Sequence, residues 1–400
     1  MIDTAVSTAQ VHTNRIVYAA GEATAVHHRG TLRVVMVTPR YLPHMGGVEH
    51  HVHEVARRMA QLGISITVLT TEPGEQKSIV DCSDGVTIVR VPAWPKGKDY
   101  YFAPGIYRTI RRGAWDIIHI QSYHTLVAPL AMLAAFRSRT PYVVTFHGGG
   151  HTSKLRNSLR HAQWILLRPL LARADKLIAI ARFEEAYYGK PLHLPPERFV
   201  LIPNGSDLPA ASMAASTSTD AGTLIASVGR LERYKGHHKV IAAMPYILKE
   251  RPDARLWIAG TGPYEPALRD LAKRLGVSER VEIRSIPPEQ RERMSDELSR
   301  VALVVLLSEF ETNPIAVLEA LALGRPALVA DTSGMSELAA QGYARAIPLH
   351  STARQIADAI VKELGQSRQP VHLTLPSWDD TASQLLALYQ DIKRSHPCAS

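Results

Sequence analysis

Short apolar runs alternate with stretches of helical spacing along nearly the whole chain, and they do so in two successive series. The first takes in residues 32–38, 64–70, 86–91, 117–121, 142–146, 177–180 and 199–202, with a helix expected over 48–62. The second takes in 224–228, 255–259, 281–284, 301–307 and 327–330. Strands covered on both faces read as unbroken apolar runs, and strand–helix alternation is the pattern of a parallel sheet flanked by helices. The expected fold is therefore α/β, with two doubly wound, Rossmann-like parallel-sheet domains. A chain of 400 residues, 46% of them apolar, also exceeds what one core commonly holds. Residues 1–30 are expected to form a mobile N-terminal extension and 31–205 the first domain. An Ala-, Ser- and Thr-rich linker then spans 206–222, followed by the second domain over 223–376 and a terminal helix over 377–395.

In open parallel sheets ligands sit outside the C-terminal strand ends, where helix N-termini offer free N–H groups to anions. The residues with chemistry fall at those ends. Glu311 and Glu319 stand 319 − 311 = 8 positions apart, the first in the loop after the run 301–307, the second in the helix that Pro314 and Ile315 can open. Two carboxylates so placed can accept hydrogen bonds from hydroxyls at separate points of one polyhydroxylated ligand. Each alone also reads as an ordinary loop acid or helix residue. Arg230 and Lys235 follow the strand 224–228 and can converge on a diphosphate, the guanidinium as a fork and the ammonium as a point charge. Cations at one strand end and acids at the next fit one nucleotide-sugar. Gly46 and Gly47 follow the first strand and let the backbone approach a phosphate or sugar closely, with a plain turn as the other reading. No GxGxxG follows a strand, so a dinucleotide cofactor is not expected. His50, His51 and His53 are spaced so that three rings cannot share one helix face. They read as helix-surface or acceptor-side residues and not as metal ligands, while His237 and His238 read as a helix start.

Several short strings occur in a telling order: Tyr41-Leu42-Pro43-His44-Met45-Gly46-Gly47-Val48-Glu49-His50, Thr145-Phe146-His147-Gly148, Ile202-Pro203-Asn204-Gly205 and Gly229-Arg230-Leu231-Glu232-Arg233-Tyr234-Lys235-Gly236. Ala259-Gly260-Thr261-Gly262-Pro263, the Glu pair and Gly324-Arg325-Pro326 come after them. In this order they resemble the GT-B glycosyltransferases of family 4, the group 1 glycosyl transferases, over nearly the whole chain. The resemblance implies two domains facing across a cleft and a terminal helix that crosses back onto the first. It implies retaining, metal-independent transfer of a hexosyl unit from a nucleotide-sugar, with no cofactor beyond that substrate.

By the same resemblance His147 faces the transferred sugar, and Arg230 and Lys235 neutralise the diphosphate as the C1–O bond breaks. Glu311 bonds donor-sugar hydroxyls and Glu319 the ribose. Gly46, Gly47, Gly260, Gly262, Asn313, Pro314 and Ile315 complete the donor pocket. No second carboxylate offers itself as a nucleophile, so a front-face displacement is implied, in which the leaving phosphate takes the acceptor proton. One departure stands out. Asn313-Pro314 occupies the place where the family commonly has Phe-Gly, which removes a backbone N–H, adds a polar arm and bears on donor choice. The same architecture also serves a nucleotide-sugar epimerase, which transforms donor without acceptor, and a noncatalytic binding subunit, which holds nucleotide and turns nothing over.

The formal charge of +9 suits anionic ligands or an anionic membrane face. Nucleic acid is not an expected partner, since no nucleic-acid module is recognisable and the basic residues spread over both halves. Cys82 and Cys398 are too few for a disulfide framework, which points to a reducing cytoplasm. Neither a spanning apolar run nor a secretory signal is expected. Lys154, Arg156, Arg160, Arg168 and Arg173 lie among Leu155, Leu159, Trp164, Ile165, Leu166, Leu167 and Leu170. That stretch either touches an anionic membrane and presents a lipid-linked acceptor, or forms a core helix with a solvated basic edge. The expected partners are a UDP- or GDP-sugar donor and a glycan or lipid-linked acceptor, in the synthesis of a cell-surface polysaccharide or glycolipid at the inner face of the membrane.

Overall fold

The computed structural model describes residues 31–44, 46–96, 101–148, 154–209, 223–287, 290–366 and 375–396. The expected extension 1–30, most of the linker 206–222, and Cys398 lie outside them, as do the side chains of Lys154, Arg156 and Arg160.

The first unit carries eight strands: β1 (Arg33–Val37), β2 (Ser65–Pro73), β3 (Ile79–Ser83), β4 (Val86–Ala93), β5 (Ile117–Gln121), β6 (Tyr142–Thr145), β7 (Lys176–Ala179) and β8 (Phe199–Leu201). Their spatial order is 3-4-2-1-5-6-7-8. Every neighbouring pair is parallel, as expected, except β3–β4, where an additional edge strand absent from the expected series pairs antiparallel. The cause is local. Asp84 and Gly85 join β3 to β4 with φ of 51° and 76°, the backbone of a two-residue hairpin turn, and a hairpin can only lead back antiparallel. Helices α1 (Gly47–Gln61), α2 (Pro104–Arg112), α3 (Val127–Ser138), α4 (Lys154–Leu171) and α5 (Arg182–Leu192) cover the faces.

The second unit has six parallel strands, β9 (Leu224–Val228), β10 (Arg255–Ala259), β11 (Val281–Ile283), β12 (Leu303–Leu306), β13 (Ala327–Asp331) and β14 (Arg345–Pro348), in the order 11-10-9-12-13-14. With it go α6 (His237–Glu250), α7 (Glu265–Arg274), α8 (Arg291–Ser299), α9 (Ile315–Ala322), α10 (Ser333–Ala340) and α11 (Ala353–Leu364). In both sheets the winding reverses at the first strand, since β1 lies between β2 and β5, and β9 between β10 and β12. Such a reversal opens a crevice at the C-terminal strand ends, and the loops after β1, β9 and β12 line it.

The last helix, α12 (Trp378–Ser395), leaves the second unit and packs on α1 of the first. Ser377 caps it, its hydroxyl accepting from Asp380 N at 3.0 Å while Asp380 accepts from Ser377 N. Leu385, Tyr389 and Ile392 enter the cluster that holds Val52, Val55 and Met59 of α1. Burying side chains of that size contributes about 1.5–3 kcal/mol each. Arg58 of α1 fastens the seam with charge, bonding Asp379 at 2.5 Å, Asp207 at 3.0 Å and the Glu54 carboxylate.

Candidate active site

The loop after β9 is held by backbone before any side chain acts. Leu231 N donates to Thr261 O at 2.9 Å, and Tyr264 N donates to Leu231 O at 2.9 Å, so the loops after β9 and β10 lie directly against each other. Gly260 and Gly262 make that contact possible: a Cβ on Gly260 would stand 1.9 Å from Gly229 O, and one on Gly262 would stand 2.5 Å from Leu231 O. These two glycines therefore shape the loop that carries Arg230. His237, at the start of α6, supports it from below, with Nε2 donating to Arg230 O at 3.2 Å and Nδ1 accepting from Ser227 Oγ at 2.8 Å. Burial pushes this imidazole down to about 4, so it serves as a neutral strut. Arg230 lies half-exposed, its guanidinium bonded to Tyr234 Oη at 2.9 Å and to Glu232 at 2.9 Å.

Lys235 reaches from this loop to the loop after β12. Its Nζ donates to Glu311 Oε1 at 2.6 Å, and Ser308 Oγ donates to the same oxygen at 2.8 Å. Burial opposes the ammonium charge, yet the Glu311 carboxylate beside it leaves the Lys235 pKa raised, so the pair is ionic. Ser333, at the start of α10, accepts from Glu311 N at 2.9 Å and fixes the backbone under the carboxylate. Pro314 occupies the position just before α9, and Ile315 opens the helix and packs against the first domain's core. Asn313 turns its carbonyl to Asn204 Nδ2 at 3.2 Å, while its own Oδ1 is buried without a partner.

Glu319 is sealed in. Its carboxylate is bonded by Arg291 from the start of α8, and its Oε1 stands 3.8 Å from His50 Nε2 of α1. Burial pushes the Glu319 carboxyl up, against the pull of Arg291.

Across the cleft the buried histidines are neutral. His147 follows β6 with φ 45°, and its Nε2 donates to Gln121 Oε1 at 2.6 Å. His51 Nδ1 donates to Asn204 Oδ1 at 2.9 Å, and its ring meets that of His147 edge to face, centroids 4.7 Å apart. Burial lowers His51 to about 4 and His50 to about 3, and drives His147 well below its ordinary value. Of the two readings, helix-surface or acceptor-side residues, burial removes the first for His50 and His51. They are buried because α12 covers this side of α1, with Trp378 edge-on to both rings. His53 is partly exposed and meets Tyr41 Oη at 3.2 Å.

Gly46 precedes α1 in extended conformation and Gly47 is exposed at its first turn. Beside them Glu49, raised by burial, feels Arg40 and Arg230. The two domains touch at the residues next to the singled-out ones: Thr312 Oγ1 donates to Gly148 O at 3.2 Å. Glu184 braces Gly148 in turn, accepting from its N–H at 3.2 Å and from Ile180 N at 2.8 Å, with burial pushing its carboxyl up to about 7. Among the described residues no group of three or more His, Cys, Asp or Glu is placed to hold a metal ion, and no helix is long and apolar enough to cross a membrane.

Arg291, Ser333, Gln121 and Glu49 are site residues that the sequence reading passed over. Ser333 carried a usable signal, since it follows a predicted strand end. Arg291 carried none, because it lies in the polar run Gln290-Arg291-Glu292-Arg293 and reaches Glu319 only through the tertiary fold.

The sequence matches the family described as Glycosyltransferase Family 4 over residues 45–209, and that described as Glycosyl transferases group 1 over residues 211–372. A D-inositol 3-phosphate glycosyltransferase of Nocardiopsis dassonvillei is 28% identical over 390 residues, spanning 86% of this chain and 89% of that one. Among solved structures, sucrose-phosphate synthase from Thermosynechococcus elongatus superposes with a TM-score of 0.73 at 19% identity, covering 91% of this chain and all of that one. The Anabaena HepE protein in complex with UDP-glucose superposes with a TM-score of 0.69 at 17% identity, covering 90% and 98%. Both share the fold.

Proposed function

We propose, for a chain that belongs to the group 1 glycosyl transferases of family 4 and is a GT-B glycosyltransferase, that its donor is a UDP- or GDP-sugar and that it transfers with retention. The observation that carries the donor reading is the Lys235–Glu311 pair, one residue from the hydrogen bond between Thr312 and Gly148 that brings the loop of His147 up to it; retention rests on the family. A preformed ammonium–carboxylate contact suits a donor that adds an anion and a set of hydroxyls at one place. The ammonium has three N–H groups, so it can meet a phosphate oxygen while Glu311 turns to sugar hydroxyls.

In the reaction so read, the bond from C1 of the sugar to the phosphate oxygen breaks and its electron pair stays on the phosphate. Lys235 and Arg230 stabilise that developing charge. The acceptor hydroxyl oxygen bonds to C1 on the face the phosphate leaves, and its proton passes to a phosphate oxygen. His147, neutral and buried, offers the sugar a polar contact without adding charge.

The acceptor we propose is a glycan or a lipid-linked polyol. The relative from Nocardiopsis carries the polyol phosphate inositol 3-phosphate in its name. On α4, Ile165 and Leu166 are 66% and 78% exposed, which fits shallow contact with an anionic membrane.

The test is a thermal-shift screen of the purified protein against UDP-, GDP- and ADP-sugars, followed by donor hydrolysis on any hit. A selective rise in melting temperature with slow sugar release identifies the donor, because a ligand that binds the native state stabilises it by mass action. A protein that no nucleotide-sugar stabilises would sink the reading.

A further inference from the structure

Beside and beneath His147 lies a run of buried polar side chains that the transfer chemistry leaves without a task. His119 and Gln121 sit on β5, Thr145 on β6 and Tyr389 on α12, and none is more than 1% exposed. Polar groups withdrawn from water this completely are costly unless they are bonded. Each of these is. His119 Nδ1 meets Tyr389 Oη at 2.5 Å and its Nε2 meets Thr145 Oγ1 at 2.7 Å, so hydroxyls occupy both ring nitrogens. Gln121 turns Nε2 to the His119 ring, 3.1 Å from its Nε2, and Oε1 to His147 Nε2 at 2.6 Å.

That arrangement fixes the carboxamide. Its nitrogen stands 3.2 and 3.1 Å from the two His119 nitrogens and so lies over the ring face, where an N–H is attracted to the π electrons; turned round, the amide oxygen would set its lone pairs against that face. In the orientation observed the oxygen faces His147, and an amide oxygen has no proton to give. His147 must therefore carry its own proton on Nε2, which in a neutral ring leaves Nδ1 as the acceptor. The backbone of His147 is equally constrained, since a left-handed φ at a non-glycine residue persists only where the surroundings hold it.

We propose that Gln121, set by His119 and through it by Tyr389 of the terminal helix, is a positioning residue for sugar transfer. It locks His147 in the Nε2–H tautomer, so that Nδ1 accepts a hydrogen bond from a hydroxyl of the bound sugar. This rests on the reading of His147 as the residue that faces the sugar, and the test separates the two. Protein labelled with nitrogen-15 in histidine reports which nitrogen of His147 is protonated, the signals being assigned by their loss in His147→Ala. Gln121→Met keeps the length and removes the acceptor, while Gln121→Glu keeps an acceptor oxygen.

The expected result is Nε2–H in the native protein and in Gln121→Glu, and a mixture of tautomers in Gln121→Met. With a donor identified by the thermal-shift screen, kcat in Gln121→Met falls at least roughly tenfold while KM stays within about twofold, and Gln121→Glu recovers much of the loss. The native spectrum alone overturns the proposal if the proton is on Nδ1, whether or not the variants fold. An unchanged tautomer in Gln121→Met also overturns it, even where His147→Ala abolishes turnover. Native-like turnover in His147→Ala removes the reading of His147 itself, and the proposal falls with it.

Discussion

The two walls of the cleft are built from different chemistry. On the second domain Arg230, Lys235 and Arg291 are each ion-paired, with Glu232, Glu311 and Glu319. On the first, imidazoles and amides meet at the cleft with Glu49 beside Gly46 and Gly47, and burial holds His50, His51 and His147 neutral. One wall keeps charges in place before any ligand arrives and can exchange one anion for another with little reorganisation, which is what a site for a departing diphosphate requires. The other offers mainly the directional hydrogen bonds of neutral groups, which suits a hydroxylated sugar. Shared architecture at the two strand-end crevices has thus been filled with ion pairs on one side and mainly with neutral hydrogen-bonding groups on the other.

Removing charge from the ionic wall breaks the comparison most directly. Lys235→Ala is expected to lower kcat by roughly 10²–10³, the range for losing a preorganised group aimed at developing charge. Glu319→Ala, which touches the donor away from the reacting bond in the family reading, is expected to raise donor KM about tenfold with kcat nearly kept. Steady-state kinetics on both variants decides it. Small and equal effects on kcat and KM would show that the ion pairs hold the loops and do not serve the reaction.

The neutral wall makes a claim about acid. His51 and His50 refuse a proton in the folded protein until about pH 4 and 3, and His237 in the second domain until about 4. In the unfolded chain each titrates near its ordinary value. Between those limits the unfolded state binds more protons, so stability falls as pH drops through about 6.5, by up to about 1.4 kcal/mol per pH unit for each such histidine. Glu184 acts in the opposite sense. Its folded pKa of about 7 makes its contribution full below the ordinary carboxylate range and lost as pH rises toward neutrality; Glu49 and Glu319, also raised by burial, act with it, while His119 and His147, both lowered, add to the histidine side and leave it the larger. A melting temperature that drops by several degrees from pH 7 to pH 5, with a shallower slope in His51→Gln, is expected. A flat profile would mean that these rings protonate in place.

The ionic wall could be read in the sequence because its residues are charged, sit at strand ends and come in short loops. Arg230 and Lys235 follow the run 224–228, which is β9 to the residue, and Glu311 follows β12. The neutral wall was harder to read for a physical reason. His51 is buried only because α12 returns from far along the chain to cover α1, and a helix of mixed composition does not announce which face another helix will take. The edge strands β3 and β14 were missed on similar grounds. Each has a single neighbour and a mixed pattern, Ile79-Val80-Asp81-Cys82-Ser83 and Arg345-Ala346-Ile347-Pro348, so neither makes an apolar run.

The smallest expected effect concerns how the two walls are kept face to face. Glu337 of α10, on the second domain, accepts from Arg182 N at 3.0 Å and from Phe183 N, the free amides at the start of α5 on the first. Phe310 packs beside this contact, against Phe183 and Tyr187, with centroids 5.8 and 5.5 Å away. A carboxylate on a helix N-terminus contributes about 1 kcal/mol, here between domains and not within one. Glu337→Ala should therefore shift the balance toward an open cleft by a similar amount, with the melting temperature lower by a few degrees at most and donor KM raised less than about fivefold. Small-angle scattering without and with donor reads the balance directly: the variant should be more extended without donor and regain the native radius with it. A loss of kcat larger than that of Lys235→Ala would place closure, and not charge at the phosphate, as the step that limits the reaction, and the contrast between the walls would then describe binding alone.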